Sequence, residues 1–127
     1  MTIREAIDRA DTLNPNQYTE EQKVKWLSLL DYSVFTDIIN EHEYNEGEET
    51  VEFRPYTTDD VEKTLLASYP YDEMYVVFLQ MKIDEANKET DRYNNSAALF
   101  NSYSEDFSHH YHKTHRSKKY YGFNIWG

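Results

Sequence analysis

The chain of 127 residues is the length of one ordinary domain, and because it has no cysteine, disulfides, thiolate metal sites and cysteine nucleophiles are excluded. Its 13 basic and 24 acidic residues give a net charge of −11, which repels phosphates and argues against general DNA or RNA binding by the body. No apolar run approaches the roughly 18 residues of a membrane span and no signal-peptide pattern is present, so we expect a cytoplasmic protein without membrane contact, or part of an assembly made there.

The first predicted element is a short helix near the N-terminus. Only three Gly and three Pro punctuate the chain, which favours long helices over a sheet with many turns. Thr2 and Glu5 match the capping-box pattern that opens a helix, and apolar residues then recur on one face. We expect this helix to end near Asp11, because Pro15 removes a backbone donor and disfavours helix in the residue before it.

A second and longer helix is predicted from about Glu20 to His42. Thr19 and Gln22 form a second capping box, and acidic residues occupy the first turn, where the helix dipole favours them. Apolar residues follow at the three- and four-residue steps of one helix face: Val24, Leu27, Leu30, Val34 and Ile38. This spacing predicts a buried face along the whole helix.

An acidic loop or short hairpin is expected after this helix. The segment 41–60 has no helical period, and six Glu fall between Glu41 and Glu52. Only the stretch TVEFR, residues 50–54, alternates as a strand does. We expect the carboxylates of this loop to be exposed, with no metal-binding or catalytic role; the candidate residues are Glu46, Glu48, Glu49 and Glu52.

The second half of the chain predicts a helical turn and two further helices. The turn covers residues 60–67, and Pro70 then opens a central buried helix that is nearly all apolar over 74–81 and amphipathic through Ala86. Regularly spaced aromatic residues predict a last helix over 90–115. Eight side chains of the bundle are expected to be largely buried: Trp26, Leu27, Leu30, Val77, Phe78, Ile83, Phe100 and Phe107.

Two asparagines stand out within the last predicted helix, because Asn is a weak helix former. Asn94 and Asn95 either form a polar junction between two helices or hydrogen-bond to a neighbouring subunit. In the second case the small residues 96–98 would allow the close packing that such a contact needs. Both alternatives are structural.

The chain shows no strong sign of a metal centre or of catalysis. His109, His112 and His115 share one helix face, but zinc usually takes three or four converging ligands that further hydrogen bonds hold in place. We therefore expect no metal and no cofactor. Adjacent carboxylates point apart on a helix, and no Gly-rich phosphate loop, nucleophile elbow or H-E-x-x-H pattern is present, so an enzyme is not expected.

A basic and aromatic arm, residues 117–127, is predicted to follow a helical domain of residues 1–116. Every acidic residue precedes the arm, so residues 1–108 carry 9 basic against 24 acidic residues, a net of −15. Such aromatic and basic residues anchor interfaces, and we expect partner docking, with folding back onto the same domain as the alternative. The candidate contact residues are Lys118, Lys119, Tyr120, Tyr121, Phe123, Ile125 and Trp126.

Two stretches of the chain together resemble a known family. They are LNPNQYTEEQKVKWLSLLD, residues 13–31, and YPYDEMYVVFLQMKIDEANKETDRYNNSAALFNSYSEDFSHHYHKTH, residues 69–115. They are similar to the small head-to-tail connector, or adaptor, proteins of tailed bacteriophages. In that family an N-P-N-x-Y/S opening precedes a first long helix, and a K-I-D-x-A-N…D-R-Y-N-N-S segment joins the last two helices. The resemblance covers most of residues 11–115, and its motifs are structural.

The resemblance implies a helical-bundle subunit of the virion neck that assembles as a ring, usually of twelve, between the portal protein and a tail or stopper protein. Double-stranded DNA would pass through the ring without specific binding, and acidic walls suit such a channel because a basic lining would hold phosphates. The acidic loop would then face solvent or the lumen, and the arm would grip the portal or an adjacent subunit. The alternative is a small acidic inhibitor that mimics DNA, which would be a monomer or dimer.

Overall fold

The computed structural model describes residues 1–118, and this part of the chain is built from four α-helices. They are α1 (Ile3–Leu13), α2 (Glu20–Ser33), α3 (Glu73–Ala86) and α4 (Thr90–Thr114). The described residues form no strand, and two isolated antiparallel bridges join Thr2 to Thr64 and His42 to Ser117. The predicted all-α bundle of about four helices is confirmed, and the acidic segment is a loop without a hairpin ladder.

α1 begins at its predicted capping box. The Thr2 hydroxyl accepts a hydrogen bond from the Glu5 N–H at 3.1 Å, and the Glu5 carboxylate accepts one from the Thr2 N–H at 3.3 Å. The inner face of the helix is buried: Ile3, Ala6, Ile7 and Ala10. This apolar face packs α1 against α2 and α3.

The second predicted helix, residues 20–42, is helical along nearly its whole length but changes its form. α2 is followed directly by a wider π-helical turn, Val34–Ile38, and then by a tighter 3-10 turn, Ile39–Glu41. In this region the Thr36 hydroxyl donates to the Tyr32 carbonyl at 2.9 Å. Side-chain bonds of this type compete with the helical ladder and bend helices.

The predicted helical turn over residues 60–67 is wrong. A 3-10 turn lies earlier, at Thr58–Asp60, and the residues after it form an irregular segment beside the start of α1. The Leu65 N–H donates to the Met1 carbonyl at 3.0 Å, and two carbonyls of this segment accept from the first N–H groups of α1. Because these bonds satisfy helix-terminal N–H groups that have no partner within α1, the tertiary pairing outweighs a local helical tendency.

α3 is the central helix and contacts each of the other three. It begins at Glu73 and not at Pro70, because Pro70 lies in a turn that the Tyr71 N–H closes on the Ser68 carbonyl at 2.8 Å. Its apolar run is buried on most sides: Met74, Tyr75, Val76, Val77, Leu79 and Ile83. A helix that is apolar on most sides must lie inside the bundle.

The predicted core is confirmed at six of its eight positions. The buried members are Trp26, Leu27, Leu30, Val77, Ile83 and Phe107. Phe78 and Phe100 are only half-buried, with their ring centroids 5.2 Å apart. Both rings line an apolar groove, so each keeps one side uncovered by residues 1–118.

The junction between the last two helices is a tight turn at residues 87–89. Lys88 there has a φ of 60°, in the left-handed region that residues with a Cβ adopt at a cost. Asn94 and Asn95, by contrast, are exposed inside α4. The interpretation of these two residues as a junction between helices is therefore wrong.

Replacing Lys88 by Gly is expected to stabilise the fold. Gly adopts a positive φ without a steric penalty, and we expect the free energy of unfolding to rise by about 1 kcal/mol, less the greater freedom of Gly in the unfolded chain. Urea unfolding measures the change. Asn101→Gly, at an exposed position inside α4, is the control and should destabilise the protein. A lower midpoint for Lys88→Gly than for the parent would contradict this expectation.

Candidate partner-binding site at the end of α4

The acidic loop and the start of the arm lie side by side at one end of the bundle. We name the region formed by residues 42–48 and 111–118 the C-terminal junction. The Glu43 N–H donates to the Arg116 carbonyl at 2.7 Å within the antiparallel bridge between His42 and Ser117, and the Asn45 side-chain amide donates to the Thr114 carbonyl at 3.0 Å. The loop is therefore held against the end of α4.

His115 joins the two segments through its side chain. Its ring stacks on Tyr111 with centroids 3.8 Å apart, and its Nε2 lies 2.9 Å from a carboxylate oxygen of Glu48. Its Nδ1 lies 2.9 Å from the Thr114 hydroxyl oxygen and 3.3 Å from the Tyr111 carbonyl oxygen, so both ring nitrogens have polar partners. The pKa of Glu48 is lowered because its carboxylate accepts hydrogen bonds from His115 and from the Asn45 N–H.

His42 is buried beside this pair. Its Nδ1 lies 2.6 Å from the Ile38 carbonyl oxygen, and its Nε2 lies 3.4 Å from Nδ1 of His112. Because a carbonyl oxygen only accepts, Nδ1 of His42 carries the proton. The His42 ring also meets Tyr111 edge-on at 5.2 Å, and burial raises the pKa of Tyr111 to about 12.

Glu48→Gln is expected to remove a pH-dependent contribution to stability. Because the folded-state pKa of Glu48 is lowered, its contribution is present above the unfolded pKa of about 4.3 and is lost as the pH falls through the folded value. The pair is partly exposed, so the effect is at most about 1 kcal/mol. Urea unfolding across this acidic range measures it. Glu49→Gln, at the adjacent exposed carboxylate, is the matched control and should keep the parental pH profile; the same profile in Glu48→Gln would contradict the pairing.

The three histidines of the predicted cluster do not converge. His109 is exposed, His112 contacts His42, and His115 binds Glu48. In the part of the chain that the structure describes, no group of three or more His, Cys, Asp or Glu side chains is arranged to hold a metal ion. The protonated Nδ1 of His42 also leaves that nitrogen unable to act as a ligand.

The structure places the predicted site residues in two groups. All four loop carboxylates are exposed: Glu46, Glu48, Glu49 and Glu52. Of the arm, Ser117 is bridged to His42 and Lys118 is exposed, whereas the remaining contact residues lie outside the described residues: Lys119, Tyr120, Tyr121, Phe123, Ile125 and Trp126. The contact between loop and arm base was not predicted, because no local pattern links residues that lie 67 positions apart in the sequence, as Glu48 and His115 do.

A buried carboxylate that the sequence analysis missed lies elsewhere, in the core. Asp31 has no exposed surface; it accepts from the Tyr75 hydroxyl at 2.6 Å, the Tyr56 hydroxyl at 2.5 Å and the Leu66 N–H at 3.0 Å. Burial raises the pKa of Asp31, and these hydrogen bonds oppose the shift. The same surroundings raise the pKa of both tyrosines. A sequence signal existed, because Asp31 follows Leu27 by four residues and therefore lies on the apolar face of α2.

An apolar groove of about 400 Å³ opens between the end of α2 and the two last helices. Its apolar lining comes from three segments and includes Leu30, Val34, Ile38, Phe78, Phe100 and Phe107. Asp37 and Lys82 add one charge of each sign to its walls. A second cavity of about 690 Å³ lies between α2 and residues 53–58 and includes Tyr32 and Tyr56 in its lining.

The comparisons with known proteins find no match among protein-family models, curated proteins or solved structures. Over residues 1–118, no helix combines the length and the apolar character needed to cross a lipid bilayer.

Proposed function

We propose that the protein is a structural subunit of the head-to-tail connector of a tailed bacteriophage, assembling as a ring beneath the portal protein. The observation that carries this proposal is the C-terminal junction, where an acidic loop is fastened beside the basic end of the chain. One end of the subunit thereby presents a prepared surface to a partner, and the helical bundle provides its body. The resemblance in residues 11–115 supports the same class of protein.

The distribution of charge supports a channel for double-stranded DNA. Residues 1–108 carry 9 basic and 24 acidic residues. DNA is held on proteins mainly when Lys and Arg displace its counterions, and carboxylates give no such gain. A ring with carboxylate walls would let DNA pass without retaining it, and the exposed loop at Glu46, Glu49 and Glu52 supplies candidates for that lining.

The buried charged groups support a structural role, because they join helices to one another. Lys23 Nζ of α2 lies 2.7 Å from an Asp11 carboxylate oxygen of α1. Asp84 of α3 accepts from the Asn14 amide at 3.3 Å and from the Ser96 hydroxyl of α4 at 3.1 Å. Groups that are paired in this way stabilise one packing of the bundle, since leaving a buried charge alone is costly.

The arm would make the contact with the portal or with an adjacent subunit, and another face would receive the tail or stopper protein. Lys118 and Lys119 would speed encounter with an acidic rim. Aromatic residues such as Tyr121 and Trp126 would slow release, because large rings that fill pockets carry most of the energy of an interface. No cofactor or catalytic step is required.

Native mass spectrometry of the protein, alone and with purified portal protein, tests the proposal. We expect a ring or a complex with the portal, and we expect connector-deficient phage heads to gain neck density in electron microscopy. A variant that lacks residues 119–127 should stay folded but fail to attach, whereas Glu21→Gln, a single exposed change in α2, should attach normally. The proposal would be overturned in favour of a DNA mimic if the protein stayed monomeric, bound neither portal protein nor heads, and displaced DNA from a DNA-binding protein.

A further inference from the structure

No described residue covers the apolar groove between α2, α3 and α4. Proteins usually bury apolar surface of this kind. Phe78 and Phe100 are half-buried at one wall, and Ile38 is half-buried at another. Burial of apolar surface stabilises by about 25 cal/mol per Å², so two partly exposed rings and an isoleucine favour an occupant.

The path of the chain at the C-terminal junction points toward this groove. Ser117 pairs with His42 in an antiparallel bridge, and Arg116 pairs with Glu43. The chain therefore passes His42 in the direction that leads back along the preceding helical turns. Those turns are the segment Val34–Ile38, which forms one wall of the groove.

The remaining chain is long enough to fill the groove. Nine residues, 119–127, follow the described part. These nine residues span at most about 30 Å when extended and about 13 Å when helical. The distance they must cover is the helical path from His42 back to Val34, which is about 12 Å. Either conformation reaches the groove of the same subunit.

The chemistry of these nine residues matches the lining. Five of them have large apolar or aromatic side chains: Tyr120, Tyr121, Phe123, Ile125 and Trp126. The basic residues Lys118 and Lys119 precede this apolar run, and the groove wall carries one acidic residue, Asp37, and one basic residue, Lys82. The match is therefore between the apolar side chains of the segment and the apolar lining of the groove.

We propose that residues 119–127 occupy this groove of their own chain in the free subunit. A short connection gives the arm a local concentration in the millimolar range at its own groove, which favours it over a second copy in dilute solution. Covering the arm this way hides an apolar segment that would otherwise promote aggregation. In the proposed connector the portal would compete with the groove for the same side chains, but the inference concerns the free subunit and does not depend on that function.

A single spin label tests the proposal, because the chain has no natural cysteine. Asn124→Cys carries the label, and amide spectra of the full-length protein report which residues lie near it. We expect the strongest broadening at Ile38, Ser104 and other groove residues, and much weaker broadening at Thr12, which is exposed on α1. A mixture of labelled protein without isotope and isotope-enriched protein without label should show no broadening.

A matched pair of variants on α4 tests the groove itself. Ser104→Trp places a large ring inside the groove and should abolish the broadening at Ile38, whereas Ser102→Trp, at an exposed position roughly half a turn away, should leave it unchanged. Broadening in the mixed sample would overturn the proposal by assigning the groove to a second copy. Broadening that is stronger at Thr12 than at the groove residues, or broadening at no described residue, would overturn it by placing the arm elsewhere. None of these results depends on binding to a portal, so a failure of the proposed function would be recognised separately.

Discussion

Replacing Asp31 by Ala is expected to lower the free energy of unfolding by about 3–5 kcal/mol, the largest effect of any single change considered for this protein. The carboxylate has no exposed surface and accepts three hydrogen bonds, from the hydroxyls of Tyr56 and Tyr75 and from the Leu66 N–H. Alanine would leave these donors without an acceptor in a dry interior, where each unsatisfied group costs about 1–3 kcal/mol. Urea unfolding at neutral pH measures the loss.

Asp31→Asn is the matched control, because it keeps the size of the side chain and one strong acceptor. Its carbonyl oxygen can accept from Tyr56 and the Leu66 N–H, while its amide donates to the Tyr75 hydroxyl, which already accepts from the Ala67 N–H at 2.8 Å. We expect a smaller loss than for alanine. Equal losses in the two variants would contradict this expectation, because neither the volume nor the acceptor that asparagine retains would then contribute to stability.

The pH dependence of stability in the parent and in Asp31→Asn provides a second measurement. Because burial raises the folded-state pKa of Asp31, the folded protein holds this proton more tightly than the unfolded chain does. That contribution to stability is complete below the unfolded pKa of about 3.9 and is lost as the pH rises through the folded value. The stability of the parent relative to Asp31→Asn should therefore fall as the pH rises from the acidic range to neutrality. A relative stability that rises with pH would contradict the direction of the shift.

Leu27→Ala is expected to cost about 2–5 kcal/mol, the second largest effect. Leu27 is 0% exposed on the inner face of α2, so its removal leaves a cavity as well as losing buried apolar surface. Leu29→Ala is the matched control two positions along, because Leu29 is 56% exposed and its truncation should change stability by about 0.5 kcal/mol or less. Thermal unfolding of both variants measures the difference. Similar losses in the two would contradict the orientation of α2.

The two networks that these variants probe act on different parts of the fold. Asp31 joins α2 to α3 through Tyr75 and to the irregular segment through Leu66. The C-terminal junction joins the acidic loop to α4 and lies nearer the surface, with Glu48 exposed. We therefore expect changes in the first network to alter global unfolding, and changes in the second to alter mainly the loop and the position of the arm.

The sequence by itself determined the class of fold and the starts of the first two helices. The Thr2–Glu5 pair, which forms both bonds of a capping box, and the Thr19 hydroxyl, which accepts from the Gln22 N–H, are visible because each acts within four residues of chain. The buried faces of α2 and α3 follow from apolar spacing, which is also a local property. Exposure of the acidic loop was predicted for the same reason, since a dense run of carboxylates is costly to bury.

Only the tertiary structure decided which distant groups meet. Glu48 finds His115 across 67 positions and Asp31 finds Tyr75 across 44, and nothing in either local stretch identifies its partner. Residues 60–67 do not form the predicted helical turn for a related reason: their backbone groups hydrogen-bond to the backbone at the start of α1. Periodicity and capping act between neighbours in the chain, whereas the pairing of buried polar groups depends on which surfaces the packed helices bring together.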